Sequence, residues 1–195
     1  MELVEECLGT VGDGGEEVVD RWDVDILWQI GAPTGAPSAI NSYSQPVVGN
    51  LDDDNGDGLI DESDDPDVVM LAFGGSPYSV VVALEGATGA DKWGSAGGNL
   101  GVSFSSADVD VDGAPDVVTF DTSRYLQVFE GDGSLKYTST TAVSSAYYPL
   151  AVIADLDEDG LPEVVGDEIV FNGEDGSVDF SLTGACGSIL KTPRA

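Results

Sequence analysis

The sequence predicts an all-β, propeller-like architecture of about three four-stranded blades, with an Asp-rich loop between the first and second strands of each. Three observations predict it. A segment ending in a proline-acid pair recurs at Pro66-Asp67, Pro115-Asp116 and Pro162-Glu163, so the repeat period is 49 and then 47 residues. Short β-branched and aromatic runs separated by Gly-rich turns follow each pair, which is a strand-and-hairpin signal. No helical periodicity of useful length occurs, and about 40 to 50 residues in four short strands is the size of one propeller blade.

The elements follow in register. Before each proline-acid pair lies a short strand and an acidic stretch. After it come strands at 68–73, 117–120 and 164–165, and second strands at 79–84, 125–129 and 169–171. Turns rich in Gly follow at 85–89, 130–133 and 172–176, and a closing strand places Trp93, Tyr137 and Phe180 in equivalent positions. The blades are expected at about 45–95, 101–140 and 148–183, within a repeat domain spanning 22–195. Residues 1–21 form an acidic, Gly-rich lead-in, and 31–45 read as a surface loop. Ahead of the first blade, 24–30 resembles a closing strand, with Trp28 in the place of Trp93, and Ser188-Ile189-Leu190 starts like another unit.

A single blade cannot bury both faces, so neighbours must stack. Closed propellers usually need at least four blades. Three alternatives follow: a piece of a larger propeller, closure through another copy, or an open curved stack.

Charge narrows the function. Thirty-seven Asp and Glu stand against six Lys and Arg, a net charge of −31. With no basic stripe to displace counterions, nucleic acid is excluded as a partner. No run approaches the roughly 18 to 20 apolar residues that span a bilayer, so membrane insertion is not expected. Residues 1–6 are acidic where a secretory signal would be basic, so an exported parent would carry its signal outside this sequence. Histidine is absent, which removes the commonest general base and the usual ligand of zinc, copper or non-haem iron. The two cysteines, Cys7 and Cys186, are either one disulfide joining the ends or two free thiols.

The acidic loops carry the chemistry. In loop two, Asp108, Asp110, Asp112 and Asp116 stand at positions 1, 3, 5 and 9, with Gly113 at position 6 for the sharp turn and the carbonyl of Ala114 as a neutral donor. Loop three repeats the scheme with Asp155, Asp157, Asp159, the carbonyl of Leu161 and Glu163. An ordinary acidic hairpin explains Asp-Gly, but not acids at this spacing twice, in register with the repeat. All-oxygen sites of this kind select hard cations, and the ligand count favours calcium. Loop one is longer. Asn50, Asp52 and Asp54 take positions 1, 3 and 5, and Asp67 closes. Inside it lies an EF-hand-type pattern of Asp53, Asn55, Asp57, Gly58, Asp61 and Asp64, with Asp rather than the usual Glu at position 12. The two patterns interleave, so loop one holds one ion or two, and the chain three or four Ca2+.

The D-x-D-x-D-G-x-x-[DE] loop in a β-repeat resembles the FG-GAP/VCBS repeats, found in the β-propeller of integrin α chains and in many large bacterial surface and secreted proteins. The resemblance covers roughly 45–183. It implies that the metal is calcium, that it rigidifies the blades, and that the setting is extracellular or the cell surface. It also places Asp108, Asp110, Asp112, Asp116, Asp155, Asp157, Asp159 and Glu163 on ligand positions. Separately, 83–93 is similar to the A-x-D-x-x-T-G-x-x-x-W repeat of quinoprotein propellers, but a hairpin turn with Trp93 packed between blades explains it better.

The leading expectation is a calcium-binding, non-catalytic repeat module for adhesion or surface structure, with a protein or glycan of the surface as partner. The alternatives are a self-assembling subunit completed by strand pairing between copies, and a propeller enzyme, quinoprotein-like or polysaccharide-active. Carboxylates committed to an ion are poor general acids, which weighs against the enzyme.

Overall fold

Each repeat folds as an antiparallel meander, because its runs alternate in side-chain face and, loop one apart, are joined by turns too short for a parallel crossover. The computed structural model describes residues 25–33, 41–42, 44–73, 79–96, 103–144 and 149–181. The lead-in, Cys7, Cys186 and 188–190 lie outside the described residues. Sheet one consists of β1 (Val47–Gly49), β2 (Asp67–Phe73), β3 (Ser79–Glu85) and β4 (Asp91–Ala96). Sheet two consists of β5 (Ser105–Ala107), β6 (Asp116–Phe120), β7 (Tyr125–Phe129) and β8 (Leu135–Ala142). Sheet three consists of β9 (Ala151–Ala154), β10 (Glu163–Gly166), β11 (Ile169–Asn172) and β12 (Val178–Ser181). Strand order is sequential in all three, and the sheets form an open run of blades. No helix among the described residues is long and apolar enough to cross a membrane.

Successive sheets pack face to face. In β2, Val69 and Leu71 turn toward sheet two and meet Val117, Phe104 and Phe129, while Ala72 packs with Val80 and Val82 on the opposite face. Sheet two repeats the division: Val118, Phe120, Leu126 and Val128 face sheet three, where Val164, Ile169 and Phe171 receive them. The first strands lie side by side, β1 against β5 and β5 against β9, with Ser105 Oγ donating to Ala151 O at 2.6 Å. That is the propeller arrangement, with the first strand of each blade innermost.

The closing strands carry two recurring devices. The closing-strand aromatic reaches forward to the next turn: Trp93 Nε1 donates to Gly131 O at 2.8 Å, and Tyr137 OH donates to Gly173 O. Trp93 also stacks on Phe129 at 6.4 Å between ring centres, so it is an inter-blade packing residue, as expected. Residues 25–30 differ from expectation, since they join no sheet among the described residues. Trp28 nonetheless holds the place its alignment gives, donating to Gly86 O at 2.7 Å. The 31–45 segment is more than a loop: Asn41 bridges Phe73, and Leu71 N donates to Ser44 Oγ at 2.9 Å.

The second device is a bulge. The third and fourth strands slip register at Ala83/Leu84, Val128/Phe129 and Val170/Phe171. The residue left without a partner is the one before the aromatic: Lys92, Lys136 or Asp179. Bulges re-aim a side chain out of the pleat.

A Cβ on Gly131 would fall inside the carbonyl oxygen of Leu51, in the preceding blade, and 3.3 Å from Pro115 O. Gly131→Ala is therefore expected to cost about 1–3 kcal/mol, as overpacking does. Urea unfolding should show a lower midpoint at unchanged slope; an unaltered midpoint would mean the turn is not wedged between blades.

Candidate metal centres

The acidic loops fold around their own aspartates. In loop two, Asp108 Oδ1 accepts from Asp112 N at 3.1 Å and Oδ2 from Gly113 N at 2.9 Å, while Asp112 Oδ1 accepts from Ala114 N at 2.9 Å. Loop three has the same bonds: Asp159 N and Gly160 N donate to Asp155 at 3.2 and 3.0 Å, and Leu161 N donates to Asp159 at 2.9 Å. The turn needs positive φ twice, at Val111 (62°) and Gly113 (96°), and at Glu158 (60°) and Gly160 (90°). A β-branched residue such as Val111 rarely adopts that conformation, so the surrounding bonds hold it there.

The closing acid does something different. Asp116 Oδ2 accepts from Val109 N at 3.1 Å, Asp67 Oδ2 from Leu51 N at 3.2 Å, and Glu163 Oε2 from Leu156 N at 2.7 Å. These acids are buried at the start of β6, β2 and β10, and the bonds pull the loop down onto the sheet. The other carboxylates then converge: Asp52, Asp54 and Asp67; Asp108, Asp110 and Asp116; Asp155, Asp157 and Glu163. Within each group, one oxygen of every residue lies within 4.8 Å of the others. Asp112 and Asp159 also brace the turn through one oxygen, and the other oxygen of Asp112 lies 4.0 Å from the Lys136 ammonium.

Loop one divides two jobs that the shorter loops combine. Its scaffold cluster is Asp52, Asp54 and Asp67, whereas the tight turn lies in the insertion. There Asp53 accepts from Asp57 N at 3.1 Å and Gly58 N at 2.8 Å, with positive φ at Gly56 (76°) and Gly58 (89°), the geometry of loops two and three. Asn50, expected at position 1, turns its amide to the carbonyl of Asp61. Of the remaining EF-type residues, Asn55 Oδ1 accepts from Asp57 N at 2.9 Å and Asp61 Oδ1 from Ser63 N at 2.8 Å. Asp64 is buried, accepting from Asp61 N at 2.9 Å and Asn55 N at 3.3 Å.

Sequence reasoning missed the residues that face these clusters. The Lys92 ammonium pairs with Asp52, with Asp54 at 3.2 Å and with Asp67 at 3.0 Å. The Lys136 ammonium lies 2.6 Å from Asp110, 3.1 Å from Asp116 and 3.3 Å from Glu130. The signal was present: each lysine immediately precedes the aligned aromatic, and the chain has only six basic residues.

Burial dominates the acid-base behaviour. It pushes Asp116 up to about 6, against the opposing pull of the Val109 N–H and Lys136. Asp67 and Glu163 are raised by burial too, and Asp157, Asp159 and Asp179 add to the effect on Glu163. For both lysines burial works downward, but their carboxylate partners outweigh it and hold them above the ordinary lysine value. Like charges at these separations cost on the order of 3 kcal/mol per pair at an effective dielectric of 20. A hard cation fits this donor set: every donor is oxygen, an ammonium already stands among two of the clusters, and Asp110 Oδ1 is buried with no hydrogen-bond partner among the described residues.

Comparison with known proteins agrees with this geometry. Residues 108–166 match the family described as FG-GAP-like repeat, a span running from the first acid of loop two through loop three to the end of β10. Among solved structures, the chain is similar to the V. cholerae biofilm matrix protein Bap1, with a TM-score of 0.68 and 26% identity over 80% of this chain. It spans 27% of that protein's chain. No curated protein matches. Over residues 108–166 the chain therefore carries the FG-GAP-like repeat.

The raised carboxylates fix the sign of a pH effect. Asp116 titrates near 6 when folded against 3.8 in the reference state, so between those values the folded chain binds more protons. Without metal, stability should then fall as pH rises through about 4 to 6. A cation favours the ionised acids, so in calcium the trend should reverse, with stability lost on acidification. Melting temperatures at pH 5 and 7.5, in EDTA and in calcium, check this; parallel trends in both buffers would contradict it.

Proposed function

We propose that this chain is a calcium-binding, non-catalytic repeat module of an extracellular matrix or cell surface, in which the ions fasten the corners where blades meet. One observation carries the reading: three converging acid triads occur at equivalent places, each built on a buried closing acid. Calcium would supply the positive charge that lets the triads remain ionised in the folded state. The chain's own residues do the rest. Asp67 and Asp116 hold the N–H of Leu51 and Val109, whose side chains are 2% and 0% exposed in the contact with the next blade. Neutralising a triad is thereby coupled to blade packing. The acids are occupied by backbone N–H groups and lysines, which suits a structural role better than proton transfer. Similarity to a biofilm matrix protein supports a place outside the cell, in a matrix; adhesion and a protein or glycan partner belong to the same proposal.

Thermal melting tests the calcium reading. Binding to the folded state alone contributes about 2.7 kcal/mol per site at a hundredfold excess over Kd. With three sites emptied, chelation by EGTA should lower the melting temperature by roughly 15–30 °C. Superimposable curves with calcium and with EGTA would sink the proposal.

A second reading, self-assembly, is favoured by a specific asymmetry. Leu156 aligns with Leu51 and Val109 but is 48% exposed, and Val152, aligned with the packed Val47, is 54% exposed. At the opposite end, an apolar cavity of about 370 Å³ lies against sheet one, lined by Met70, Ala72, Leu84 and Trp28. The forward face of sheet three offers an apolar surface of the kind that packs between blades elsewhere in the chain. If a second copy covers it, light scattering should show mass rising with concentration, and Leu156→Asp should abolish the rise. A strict monomer at high concentration defeats this reading.

A further inference from the structure

The bulge in each third-to-fourth strand pairing selects one side chain and turns it out of the ladder. In sheets one and two that side chain is a lysine, Lys92 or Lys136, and its ammonium sits among the carboxylates of its own blade's loop. The lysine side chains are 15% and 13% exposed, so these are enclosed pairs rather than wandering surface contacts. Each ammonium touches the closing acid itself, at 3.0 Å for Asp67 and 3.1 Å for Asp116. In sheet three the same bulge presents Asp179. Instead of compensating loop three, Asp179 adds to the negative field on Glu163, the closing acid there.

We infer that the bulge residue sets how strongly each loop depends on a divalent cation: Lys92 and Lys136 are tethered counter-cations that support loops one and two without metal and compete with it, whereas Asp179 adds to the negative charge at loop three and deepens its dependence on one. The metal half of this inference rests on the calcium reading above; the counter-charge half does not. An incoming ion at loop one or two must first displace an ammonium bonded to the closing acid. Its apparent affinity is reduced by the fraction of time the lysine holds the cluster. At loop three no such step arises at the bulge, and one more carboxylate lies close by.

The test uses the full chain, with calcium titrated calorimetrically and melting followed in EDTA and in calcium. Lys136→Met should lower the melting temperature in EDTA by several degrees, enlarge the rise on adding calcium, and tighten calcium binding at loop two by roughly tenfold. Asp179→Lys should do the opposite, raising the melting temperature in EDTA and weakening calcium binding at loop three. Lys136→Arg, which keeps the charge, should melt in EDTA as the wild type does. Should Lys136→Met fold only with calcium, that outcome supports the inference; should it not fold at all, Asp179→Lys decides. If the wild type responds to calcium but Lys136→Met and Asp179→Lys both melt and titrate like it, the inference fails while the calcium reading stands. If the wild type ignores calcium but the two variants shift in EDTA as stated, the calcium reading and the metal half fail while the counter-charge half stands. If neither calcium nor the variants move the melt, both fail.

Discussion

A buried carboxylate at the head of each blade's second strand is the constraint on which the rest depends. Asp67, Asp116 and Glu163 each accept the N–H of the second loop residue, Leu51, Val109 or Leu156. An unpaired buried charge is costly, so each acid, where ionised, needs its backbone donor and a compensating positive charge nearby. The same bond sets the height of the loop above the sheet. That height places Leu51 and Val109 within the hydrophobic contact between blades. Electrostatics at the corner and packing at the interface are therefore one problem with one solution, repeated with the period of the chain.

The repeat makes most of the architecture legible from residues alone. The proline-acid pairs place the second and third strands of all three sheets to within a residue, because β-branched runs bounded by Gly and Asp leave little freedom. β10 is longer than the apolar pair at 164–165 suggests, since Glu163 and Gly166 join its ladders. Residues 25–30 show the limit of such alignment. Their pattern matches a closing strand, and Trp28 sits where a closing-strand aromatic sits, but a ladder needs a neighbouring third strand, and no described segment provides one.

At the site, spacing reveals the acids but not their division of labour. Positions 1, 3, 5 and 9 contain the triads, but spacing does not reveal that Asp112 and Asp159 also brace the turn through one oxygen, which backbone conformation decides. In loop one the insertion carries the turn away from the scaffold cluster, so the interleaved patterns are two structures and not two descriptions of one. The lysines escape a motif search for another reason. Their approach to the acids depends on a slipped register, and a slip leaves no composition signal, only a charge beside an aromatic that repeats twice and then inverts.

The forward hydrogen bond from each closing aromatic gives the run of blades a direction. Trp28, Trp93 and Tyr137 all carry a donor that meets a glycine carbonyl in the following turn. Phe180, next in the series, has a ring and no donor. Whatever packs beyond sheet three therefore takes no hydrogen bond from this aromatic, and any polar latch there must come from another residue. A joint tied by ring shape alone yields more readily to mechanical load than one that is also latched.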